Sequence, residues 1–153
     1  MLDPSVSNLT VRAEVLLMLA ARAQHVAEVI VPALESGRDV VCDRFSGSTV
    51  AYQGYGRGLD PEELIRLSDW AAEGLRPDRV VLLRVTSDVA RARRSARGGE
   101  DRLEGEGAEF FERVERGFAD LARADPDRWR VVDGSGGVEE VAVRVRFAAG
   151  FPK

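Results

Sequence analysis

Asp39 to Asp60 reads DVVCDRFSGSTVAYQGYGRGLD. Its first residues are short, apolar and β-branched, the pattern of a strand buried on both faces, and the run breaks at Asp43-Arg44 into hydroxyls, an amide and three glycines. A buried strand ending on an acid and a base puts polar chemistry at a strand tip, where open parallel sheets receive ligands. Gly54, Gly56 and Gly58 are spaced GxGxG and do not lie directly between a strand and a helix, so they are not a dinucleotide fingerprint. They let a loop pass close to a ligand or another backbone, or they form a turn.

The flanking sequence alternates helical periodicity with further β-branched runs. Thr10 N-caps a helix through Leu34 with Val15, Leu16, Leu19, Ala23, Val26 and Ile30 on one face; Pro32 kinks its end and Gly37 stops it. Ser48 to Gln53 predicts a short helix, and Asp60-Pro61 opens another that closes at Gly74. RVVLLRV from Arg79 and WRVVDG from Trp129 predict two more strands. Ser87 caps an Arg-rich helix; Phe110, Phe111, Val114, Phe118 and Leu121 mark one face of a later helix, and Val138 to Ala148 closes the chain. This order predicts an α/β fold, a three-layer parallel sheet with helices on both faces. At the strand tips Asp43, Arg44, the polar segment after Val85, and Asp133-Gly134-Ser135 are expected to converge.

Composition narrows the chemistry. The 153 residues carry a formal charge of -4, which argues against a protein that works by neutralising a polymer of phosphates and leaves room for a small anionic ligand. One cysteine, Cys42, and one histidine, His25, build neither an internal disulfide nor a Cys/His zinc site. Both are read as structural, Cys42 as a buried strand residue. MLDPSVSNL lacks the form of a secretory leader, and no segment reads as the roughly 20 apolar residues of a spanning helix, so a cytoplasmic protein without membrane or nucleic-acid polymer partners is expected. For Asp43-Arg44 two readings stand. An arginine fork matches phosphate oxygens and a neighbouring Asp can hold Mg²⁺ through water, or the two form a local ion pair at a strand end.

VCDRFSGSTVAYQ from Val41, continued by GYGRGLD, resembles the signature of the thymidylate (dTMP) kinases of the P-loop nucleoside monophosphate kinase group. The likeness extends to RAEVLLMLAARAQHVAEVIVPALESG upstream and to RPDRVVLLRVTSDVARARRSARGGEDRLEGEG, FFERVERGFADLA and VVDGS downstream. It implies a P-loop kinase-like sheet and transfer of the γ-phosphate of ATP to dTMP, in dTTP synthesis, with Mg²⁺. By similarity Arg44 binds the dTMP phosphate, Asp43 serves the metal and the transferring group, and Arg22 hydrogen-bonds thymine. Ser48, Tyr52 and Gln53 line the base and sugar. Met18 stands where many members stack a phenylalanine on thymine; a thioether can still pack against a ring, and core filling is the other reading. Arg93, Arg97 and Arg102, in a segment of about 91–107, resemble lid arginines that close over ATP, with a solvated basic helix face as the alternative. Asp133, Gly134 and Ser135 fall where the adenine-side loop lies, with a plain strand-to-helix turn as the alternative. The family also implies a homodimer in its complete form.

One element of that group is missing from these residues. GxxxxGK[ST], whose amides and lysine hold ATP phosphates, does not occur, and Lys153 is the only lysine. The chain is therefore expected to be the C-terminal portion, residues 1–153, of a single nucleotide-kinase domain incomplete at its N-terminus, inactive alone. A related kinase with a different acceptor and a non-catalytic nucleotide-binding remnant are the alternatives.

Overall fold

A computed structural model describes residues 8–86, 88–90, 92–93 and 106–151. They fall into two compact units, Met1–Arg76 with Glu106–Phe118, and Pro77–Gly105 with Ala119–Lys153.

The first unit is helical. α1 spans Val11–His25, and the Thr10 hydroxyl accepts the Ala13 N–H at 3.3 Å, so the predicted cap forms. The helix continues through a π turn, Val26–Ile30, into α2, Val31–Glu35. Pro32 has no N–H to give and crowds the preceding turn; the wider π turn just before it accommodates both defects, so the helix widens there. Gly37 ends it at φ 75°. Together Val11–Glu35 form a helix long and apolar enough to cross a membrane by length and composition, which corrects the sequence expectation; 22% of its most apolar window is buried.

Residues 39–42 are not a strand. Among the described residues the only ladder lies in the other unit, and without a partner for its N–H and C=O groups the segment stays irregular, Val41 84% exposed. Cys42 is likewise exposed, not a buried strand residue. Val40 and Phe45 still pack on Val26, Ile30 and Ala72, so the apolar pattern was right about contact and wrong about backbone. α3, Ser46–Thr49, runs into a second π turn, Val50–Gly56. α4, Pro61–Ala71, is capped by Asp60, whose carboxylate accepts the Glu62 N–H at 2.9 Å. α5, Ala108–Ala124, begins in this unit and buries Phe110 and Val114. The buried Val15, Leu19, Val26, Ile30, Val50 and Leu64 each contribute about 1.5–3 kcal/mol of apolar transfer.

The second unit holds a two-stranded parallel sheet, β1, Val80–Arg84, and β2, Trp129–Asp133, with Leu82 opposite Val131 and Arg84 opposite Asp133. The third expected strand is the one replaced by the irregular segment. After β1 the Thr86 hydroxyl accepts the Val89 N–H at 3.4 Å, so Thr86 caps the following turn of helix; Ser87 lies outside the described residues. α6, Val138–Ala149, packs on both strands and stops at Gly150, φ 85°. Parallel strands joined through helices make this an α/β fold.

Candidate nucleotide site

α1 presents Glu14, Met18 and Arg22 at helical spacing on one face. Arg22 Nη2 donates to Thr49 Oγ1 at 2.9 Å, and its guanidinium stands 5.2 Å over the Phe45 ring. Its Nη1 is buried with no partner. Burial pulls the Arg22 pKa below its ordinary value, and the neighbouring Cys42 works against that. Met18 is half-buried on the same face.

The π turn carries the facing residues. Tyr52 meets Phe110 and Phe118 edge-on, both at 6.1 Å between centroids, which fixes its ring. Gln53 is fully buried; its Nε2 donates to Glu14 Oε1 at 2.6 Å, while its Oε1 has no partner. Glu14, 1% exposed, also has Arg57 Nη2 at 3.7 Å, and Arg57 Nη1 pairs with Glu106 at 2.6 Å. A buried carboxylate needs such a cation and such donors to be tolerated. Ser48 is half-buried and gives its N–H to the Phe45 carbonyl at 3.0 Å.

Asp43 and Arg44 are exposed beside these elements in sequence. Arg44 adopts φ 64°, a left-handed conformation that a long side chain enters only under constraint, and its guanidinium lies 5.1 Å over the Tyr52 ring. The fork is thus held at the start of α3. The Cys42 thiol points at the Arg44 carbonyl, 3.4 Å away; partial desolvation raises its pKa, Arg22 opposes and Asp43 adds. The described residues hold no group of three or more His, Cys, Asp or Glu that could bind a metal unaided. A lone Asp fits Mg²⁺, which keeps waters and substrate phosphates as its other ligands.

Gly54 and Gly56 answer to packing, a Cβ on Gly54 meeting Leu64 at 3.3 Å, whereas Gly58 has open space around it and answers to its positive φ. A Cβ on Gly56 would lie 2.6 Å from Phe110 and 2.9 Å from Val114, and Gly58 has φ 80°.

In the second unit Asp133 Oδ1 accepts the Ser135 N–H at 2.8 Å, and Arg144 stands 3.7 Å from its other oxygen. The Ser135 backbone first, then its hydroxyl, and then Arg144, hold the Asp133 carboxyl below its usual range. Gly134 gives its N–H to the Arg84 carbonyl at 2.7 Å, and a Cβ there would sit 3.0 Å from Val85. Arg93 Nη2 donates to the Gly136 carbonyl at 3.3 Å. Arg97 and Arg102 lie outside the described residues.

Sequence reasoning missed Glu14, Thr49 and Arg57. A single acid among Val15 and Leu19 on an apolar helix face is the signal that could have found Glu14.

Within the first unit, buried polar atoms without partners beside an exposed arginine fork fit a small anionic ligand of the nucleotide kind. A family model described as Thymidylate kinase matches residues 2–145. The chain is 47% identical over 147 residues to the thymidylate kinase of Halorhodospira halophila, covering 95% of this chain and 68% of that protein. It is 54% identical over 136 residues to that of Leifsonia xyli subsp. xyli, covering 88% and 64%. The crystal structure of thymidylate kinase from Ehrlichia chaffeensis superposes with a TM-score of 0.69 at 29% identity, over 92% of this chain and 65% of that one. The chain belongs to the thymidylate kinase family, and it spans about two thirds of the length of these relatives.

Proposed function

We propose that this chain forms the acceptor side of a dTMP kinase, which transfers the γ-phosphate of ATP to dTMP and so supplies dTDP for dTTP synthesis. One observation carries the reading: inside the first unit Arg22 Nη1 is an unused donor and Gln53 Oε1 an unused acceptor, and Thr49, which holds Arg22, lies one helical turn from Gln53. Leaving buried polar atoms unpaired is costly, so a ligand that pairs both is favoured. Thymine offers a carbonyl O4 and an N3–H side by side.

Around that base Met18 packs on the ring face, and Ser48 and Tyr52 line the sugar. Arg44 takes the phosphate as a bidentate fork. Asp43 holds Mg²⁺ through water; the ion neutralises phosphate charge when bound. Arg93, Arg97 and Arg102 are the lid arginines, within about 91–107, and Asp133, Gly134 and Ser135 receive the adenine end of ATP. Both units are parts of one nucleotide-kinase domain. The protein works in the cytoplasm as a homodimer through the exposed apolar face of α1. Catalysis is by positioning and charge stabilisation, without a covalent intermediate. These 153 residues contain no GxxxxGK[ST], so turnover requires a phosphate-cradling loop they do not themselves supply.

Calorimetric titration of the chain with dTMP, dUMP and dCMP tests the acceptor. Binding of dTMP, weaker binding of dUMP for want of the methyl group, and a still weaker dCMP are expected. Failure to bind any pyrimidine monophosphate would overturn the proposal.

A further inference from the structure

We infer that Glu14 is a specificity-determining positioning residue: by holding the Gln53 amide in one of its two orientations, it matches the site to a base that donates at N3 and excludes one that accepts there. The inference rests on the acceptor reading above and deepens it.

A buried glutamine can turn its amide either way at little cost unless a neighbour decides. Here Glu14 Oε1 lies 2.6 Å from the amide nitrogen, and the Arg57 guanidinium stands 3.7 Å from the other carboxylate oxygen. Paired with that cation, Glu14 is a carboxylate, which accepts only. Turning the amide would set its oxygen against a carboxylate oxygen, with both side chains buried and little solvent screening between them. The NH₂ group therefore belongs to Glu14, and Oε1 is the atom left over.

The consequence is a fixed pattern. The site offers one acceptor, Gln53 Oε1, and one donor, Arg22 Nη1, the latter set by the Arg22 to Thr49 bond. Thymine and uracil complement both. Cytosine presents the reverse, an accepting N3 and a donating amino group, and leaves both protein atoms unpaired. Glu14 touches neither base and acts through Gln53.

The test is Glu14→Gln, nearly isosteric, which replaces the carboxylate by an amide that can donate as well as accept and so frees Gln53 to turn. Calorimetric titration of the unaltered chain is expected to show dTMP favoured over dCMP by roughly 100-fold or more. In E14Q that ratio should fall at least about tenfold while the variant still melts cooperatively. A folded E14Q with the original ratio overturns the inference. An unaltered chain that binds dTMP and dCMP equally overturns the acceptor reading instead, and the lock is then judged without ligand. In the unaltered chain the ¹⁵N-attached side-chain protons of Gln53 should exchange with water far more slowly than those of a free glutamine side chain, and E14Q should lose that protection. Exchange as fast as a free side chain overturns the lock even if E14Q does not fold.

Discussion

Arg44 carries both a cost and a use. A non-glycine residue at φ 64° costs about 1–2 kcal/mol relative to the right-handed regions, and the surroundings must impose it. Its guanidinium over Tyr52 gains part of that back as a cation–π contact, about 0.5–1 kcal/mol at an exposed position. Arg44→Gly removes the strain and the fork together. The variant should melt within a few degrees of the parent, or above it, while dTMP affinity falls at least tenfold, about 1.4 kcal/mol. A parallel loss of melting temperature and affinity would show that the residue is structural. At this scale the sequence was informative about residue type and poor about pairing. Arg44 stands out by chemistry, beside an acid at the end of an apolar run, whereas Arg22 is marked only by the family resemblance. Glu14 and Gln53 meet across 39 residues, and no local pattern encodes such a contact.

Elements were legible where their signals are local. Thr10, Asp60 and Gly37 mark helix ends in sequence because a cap needs only its own neighbouring backbone groups. The segment 39–42 was misread because a strand is completed by a neighbour, and hydrophobicity does not say whether one is present. Neither π turn has a sequence signature, though Pro32 hints at the first. Gly56 shows how tightly the second is packed against α5. Gly56→Ala forces a methyl into Phe110 and Val114 and should destabilise the first unit by about 1–3 kcal/mol in urea unfolding. An unchanged midpoint would mean α5 yields freely. The turn after β2 has its own pH signature. Asp133 has a depressed pKa in the folded chain, so its contribution is complete above the unfolded value of about 3.9 and is lost as pH falls through the folded one. Asp133→Asn should therefore melt below the parent at pH 7, with the gap closing toward pH 3; a constant gap would exclude the carboxylate as its cause.

For the whole molecule the outstanding feature is apolar surface. Leu16 is 64% exposed and Leu17 50%, adjacent on α1, and Val29 and Leu34 continue outward along the same helix. The adjacent pair Leu16-Leu17 is the part of this surface where association can be tested. Sedimentation should find the parent dimeric at micromolar concentration and the Leu16→Arg/Leu17→Arg chain monomeric and still folded. A monomeric parent would remove the proposed homodimer. Composition had excluded a zinc site and pointed away from polymer binding, but net charge and apolar fraction carry no information on where the apolar groups stand.

The π turn at Val50–Gly56 has a consequence for how such a site can change over generations. Relative to an α-helix it holds one surplus residue, and that surplus turns Tyr52 toward the aromatic rings while Gln53, its neighbour in the chain, enters the interior beside Glu14. Substitutions can adjust either side chain separately. Loss of a single codon there would restore regular helical winding, keep nearly all of the helix, and rotate every later side chain of the segment by roughly 100°. Lineages that keep this pocket are therefore expected to vary in letters across the segment and to hold its length constant.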